Sequence, residues 1–98
     1  MDADQIIADI EAHIANREGP LSQWYVGISE DPRHRLFSDH NVQEKGDAWI
    51  YREGESDKVA RDVESYFIDQ CGTKGGPGGG TRLSRYVYAY RIAAHTVE

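Results

Sequence analysis

Gln23-Trp24-Tyr25-Val26-Gly27-Ile28-Ser29 alternates Trp24, Val26 and Ile28 with Tyr25, Gly27 and Ser29. Side chains of an extended chain point to opposite faces with a period of two, so the stretch reads as a strand with one apolar face and one mixed face. Directly after it, Asp31-Pro32 is a helix start: a carboxylate able to cap the first turn, then proline where no amide hydrogen is needed. That helix is expected to run to about Asn41. Upstream, Ala3, Ile6, Ile7, Ile10 and Ile14 recur at three- and four-residue steps and predict an amphipathic helix over about 3–17, stopped by Gly19-Pro20.

Downstream, Asp47 to Arg52 reads as a short strand with Trp49 and Tyr51. Ser56 caps a further helix whose Val59, Ala60, Val63, Phe67, Ile68 and Cys71 form a broad apolar face. Gly72 to Thr81 holds too many glycines for regular structure and reads as a loop. Arg85 to Ala93 sets Tyr86, Tyr88, Tyr90 and Ile92 against Val87, Ala89 and Arg91, a strand with two distinct faces. The order helix, strand, helix, strand, helix, loop, strand predicts an α+β domain, a small three-stranded sheet flanked by about three helices. One domain spans 1–98: a helix over 1–18, a core over 23–71, a glycine-rich loop over 72–84 and a last strand over 85–93. Residues 85–93 are expected beside 23–29, at an edge of the sheet.

With 39% hydrophobic and 29% charged residues, the composition is that of a globular chain rather than a disordered one. No apolar run reaches membrane-spanning length, and the acidic start Met1-Asp2-Ala3-Asp4 is unlike a secretion signal. The lone cysteine, Cys71, cannot close an internal disulfide, which points to a reducing compartment and a cytoplasmic protein. The net charge of −6 argues against a polyanionic partner, but its distribution is uneven. Asp2, Asp4, Asp9, Glu11 and Glu18 oppose only Arg17, whereas 72–97 carries Lys74, Arg82, Arg85 and Arg91 and no acid. Basic residues interleaved with tyrosines could contact phosphates and stack on bases; equally, they could solvate the open face of a strand.

Glu64 stands four residues after Ala60 and four before Ile68, in a row of the buried helix face. A carboxylate there must pair with a cation such as Arg35 or Arg61, bind a metal, or take up a proton. The glycine loop lacks the spacing of a phosphate-binding P-loop and does not lead from a strand into a helix. With one cysteine and scattered histidines there is no zinc pattern.

Tyr25-Val26-Gly27 on a strand, Arg35 and His40 on the following helix, and Glu64 on the helix after the next strand occur together in one order. In this the chain resembles the GIY-YIG nuclease superfamily over about 24–70, with the family's opening Gly-Ile-Tyr strand missing from its usual place. The resemblance implies a metal-dependent nuclease acting on nucleic-acid phosphodiesters, with Tyr25, Gly27, Arg35, His40 and Glu64 as catalytic residues. It implies that Glu64 holds Mg²⁺ or Mn²⁺, that Arg35 grips phosphate oxygens, that Tyr25 positions or deprotonates water, and that Gly27 lets the backbone approach. His40 is placed to act as acid or base or to brace the site, and a tyrosine of 85–93 to fill the role of the missing strand. DNA or RNA would then be the partner, contacted through Arg33, Lys74, Arg82, Arg85, Tyr88 and Arg91. The alternative is a non-catalytic nucleic-acid or protein binding module on the same fold.

Overall fold

In a computed structural model, residues 1–17, 19–76 and 81–98 are described; the middle of the glycine loop lies outside them. Helix α1 (Ala3–Ala15) is opened by a reciprocal cap in which the Asp2 carboxylate accepts from the Gln5 amide while the Gln5 side chain accepts from the Asp2 amide. Strand β1 (Trp24–Ser29) follows. Helix α2 (Pro32–His34), capped by Asp31, widens at Arg35–Asp39 into a π-type turn that closes with His40 N–H donating to the Arg35 carbonyl at 2.8 Å. It ends where Asn41 takes φ 57°, and Val42 N–H reaches back to the Leu36 carbonyl. Strand β2 (Trp49–Glu53) leads to α3 (Asp57–Ser65), which continues through a second wide turn, Tyr66–Gln70. Gly72, at φ 79°, terminates it with Thr73 N–H on the Phe67 carbonyl. Strand β3 (Tyr86–Arg91) completes the α+β fold.

All strand pairs are antiparallel and the order is β1-β3-β2. The expected pairing of the last strand with β1 therefore occurs, but β3 is the central strand and not an edge. The reason lies in its side chains: Val87, Tyr88, Ala89 and Tyr90 are all buried, which only a strand covered on both faces can satisfy. The outer edge of β1 is taken by Lys74, whose carbonyl accepts from Val26 N–H at 3.0 Å and whose N–H donates to the Trp24 carbonyl at 2.8 Å.

Register sorts the sheet into two faces. Trp24, Val26, Ile28, Ile50, Val87 and Ala89 pack against Ile6, Ile10 and Ile14 of α1 and Ala60 and Val63 of α3, with Phe67 beyond. On the opposite face Tyr25 lies beside Tyr90 and Gly27 beside Tyr88, and Leu36 and Val42 from the α2 region cover them. Among the described residues no helix is long and apolar enough to cross a membrane.

Candidate functional site

The second face brings Tyr25, Gly27, Arg35, His40 and Tyr88 into one cluster. A Cβ at Gly27 would overlap the Tyr88 hydroxyl and ring, with Cε2 at 2.9 Å, so glycine is required for the central tyrosine to lie across β1. Tyr88 is 1% exposed, and its hydroxyl meets His40 Nε2 at 2.7 Å. His40 Nδ1 lies 2.7 Å from the Val97 carbonyl. A carbonyl can only accept, so Nδ1 carries the hydrogen, and in the neutral ring Nε2 is the acceptor of the Tyr88 O–H. Tyr90 O–H donates to the same Val97 carbonyl at 3.3 Å, and the Tyr25 ring stacks on Tyr90 at 5.2 Å and lies 4.7 Å from the His40 ring.

Burial holds the His40 pKa below its ordinary value, with the Val97 carbonyl working in the other direction and the Arg35 charge adding to the lowering. The ring is therefore neutral at pH 7 and available as a base. Burial also raises the Tyr88 and Tyr25 phenols; the Arg35 charge pulls both down and, for Tyr88, so does its hydrogen bond. Arg35 is half exposed, holds Asp39 at 3.5 Å one turn on, and borders a cleft of about 280 Å³ with Ser29, Asp31, His34, Thr81 and Ser84.

Glu64 comes from α3, which packs against β1 and β3. It is 6% exposed, as its place in the apolar row predicts, and among the described residues no hydrogen-bond donor meets its carboxylate. Desolvation lifts its pKa to about 6, against the pull of Arg61, and its charge raises both Tyr25 and Tyr88. Arg61, rather than Arg35, is thus the cation whose field reaches it. No group of three or more His, Cys, Asp or Glu side chains gathered for a metal occurs among the described residues. Mg²⁺ is held in many sites by one or two carboxylates with water and substrate oxygens filling the rest. A nearly buried carboxylate whose oxygens keep some contact with solvent fits that donor chemistry.

Several of the residues expected to touch nucleic acid stand beside acids. Arg33 pairs with Glu44 at 2.8 Å and lies over the Phe37 ring, and Arg85 pairs with Glu53 at 3.4 Å. Arg82 and Arg85 border a groove that also holds Glu30, Glu53, Glu55 and Asp57. Lys74 is exposed beside β1, and Arg91 lies opposite Trp24 in the sheet. Tyr88 offers no ring face to a base, because it is buried in the site. Sequence reasoning did not reach Val97, Asp39, Thr81 or Ser84: their places depend on tertiary turns that no local pattern announces.

A scan against protein-family models, a search of the curated proteins and a search of the solved structures each find no match to this chain.

Proposed function

We propose that the domain is a metal-dependent nuclease of GIY-YIG type, cleaving phosphodiesters of DNA or RNA on the tyrosine face of its sheet. The observation that carries this reading is the Tyr88–His40 pair, a phenol donating to a neutral imidazole beside the half-exposed Arg35. Tyr88 reaches across Gly27 from the central strand, the role the missing first strand leaves open. A binding module would not need a buried proton-accepting pair, and the mixed charges around Arg82 and Arg85 make a poor track for a polyanion.

In this reading Arg35 holds the phosphate through its planar fork and neutralises charge that grows on the oxygens. Glu64 would hold Mg²⁺ or Mn²⁺, which supplies further charge stabilisation at the phosphate when bound. Tyr25, whose ring is partly exposed, orients the attacking water. As water attacks, it gives its proton to the Tyr88 oxygen while the Tyr88 proton passes to His40 Nε2. The new oxygen–phosphorus bond forms, the bond to the leaving oxygen breaks, and that oxygen takes a proton from solvent. Because burial disfavours the phenolate, the two transfers run together; the proton rests on His40 as imidazolium, against the cost of its burial, until solvent takes it. The single thiol, Cys71, fits a reducing compartment, and we place the protein in the cytoplasm.

The test is cleavage of mixed DNA and RNA substrates by the full chain with and without Mg²⁺ or Mn²⁺. Cutting is expected only with metal, and Glu64→Gln, which keeps the side-chain shape, is expected to abolish it while leaving the fold intact. No cleavage at any metal concentration would reject the enzyme reading.

A further inference from the structure

Residues 93–97 turn back over the end of the tyrosine face and are fastened at several points. Ala93 N–H donates to the Thr96 hydroxyl at 3.0 Å, and that hydroxyl donates to the Ala93 carbonyl at 3.0 Å. The Asn41 side chain donates to the His95 carbonyl at 2.9 Å, and His95 Nε2 meets the Asp47 carboxylate at 2.5 Å. Val97 N–H donates to the His40 carbonyl at 2.8 Å. These contacts tie the turn to His40, Asn41 and Asp47, so the turn and the end of α2 are registered against each other. The outcome is the Val97 carbonyl 2.7 Å from His40 Nδ1.

We propose that this turn is a positioning device for the base: the Val97 carbonyl fixes His40 as the Nδ1–H tautomer and thereby aims the Nε2 lone pair at Tyr88. The consequence for function rests on the nuclease reading above. In the other tautomer Nε2 carries the hydrogen, faces the Tyr88 oxygen as a second donor, and cannot accept a proton. The geometry does the work that a carboxylate does for the histidine of a serine-protease triad, where the wrong tautomer silences the base. Here a neutral carbonyl does it, which favours the charged ring less than the full charge of a carboxylate would. Tyr90, donating to the same carbonyl, helps keep it in place.

The experiment is ¹⁵N NMR of the His40 ring in the full chain, beside a variant lacking residues 95–98 and the variant Asn41→Gly. Glycine keeps the left-handed backbone that Asn41 adopts at φ 57° and removes only the bond to His95. The full chain is expected to show Nδ1 protonated and Nε2 bare. The deletion is expected to give a tautomer mixture rich in Nε2–H, and Asn41→Gly a smaller shift the same way. Cleavage kinetics should follow, with kcat reduced by roughly 10- to 100-fold in the deletion, a share of the 10²–10⁴ that a positioned base contributes, and KM unchanged. A full chain with Nε2–H, or a tautomer unmoved in Asn41→Gly and in a folded deletion, overturns the proposal; should the deletion not fold, Asn41→Gly alone decides it. If the tautomer shifts as expected but nothing is cleaved, the clamp stands and the nuclease reading fails.

Discussion

On one face of the sheet, Trp24, Val26, Ile28, Ile50, Val87 and Ala89 meet the isoleucines of α1 and the apolar row of α3. On the other, Tyr25, Tyr88 and Tyr90 meet His40, and Tyr25 and Tyr88 lie within the field of Arg35. The same strands build both, and only the parity of each position decides which chemistry it joins. The first face is held by area removed from water, which tolerates exchange of one aliphatic for another. The second is held by directional hydrogen bonds among groups whose burial would be costly if any partner were lost. The lesson is that stability and function are divided between faces: truncation should weaken the fold on the first, and loss of a single oxygen should disable the site on the second.

The largest stability effect is expected where packing alone is at stake. Phe67, fully buried against the apolar face, should cost about 3–5 kcal/mol when truncated to alanine, read as a shift in urea midpoint. A loss below 1 kcal/mol would mean that α3 contributes little to the core. Gly27→Ala sharpens the contrast from the other side. The added methyl must displace the Tyr88 ring, at a cost of about 1–3 kcal/mol. The accompanying sign is a changed His40 ring environment in NMR, which Phe67→Ala should leave nearly alone.

Much of this was legible beforehand. The alternation in 23–29 and 85–93 gave the two faces, and Asp31-Pro32 and Ser56 gave the helix starts, because each depends on neighbours in the chain. The burial of Glu64 followed from helical spacing in the same way. The central place of β3 was not legible. Gly27 and Tyr88 are far apart in sequence, and nothing local says which strand a tyrosine-rich segment will join. The Val97 carbonyl is a main-chain group, so no residue type marks its role. The basic third was legible as charge but not as surface, since the acids that meet it, Glu53 at Arg85 and Asp47 at His95, come from elsewhere in the chain.

A smaller effect, of opposite sign at one residue of α1 and one of α3, is expected with pH. His13 of α1 is held at about 4 in the fold by burial and by Arg17 and Arg52, below its ordinary value of 6.5. It therefore contributes stability above pH 6.5 that is lost as the pH falls from 6.5 towards 4. Glu64, raised to about 6 from 4.5, does the reverse: its cost is present above pH 6 and is relieved as the pH falls from 6 to 4.5. In denaturation midpoints at pH 7 and pH 5, His13→Gln should make acidification less destabilising than in the unaltered chain, and Glu64→Gln more so. Equal pH dependence in all three would remove both assignments.

The most direct test of the tyrosine face as a catalytic centre is the cleavage rate of Tyr88→Phe with Mg²⁺ present. Phenylalanine keeps the ring against Gly27 and removes only the oxygen that meets His40. The expected result is a folded protein whose cleavage falls by about 10²- to 10⁴-fold, the usual worth of a positioned acid–base group. A Tyr88→Phe protein that cuts nucleic acid as fast as the unaltered chain would contradict the account, because the Tyr88–His40 pair would then be structural only.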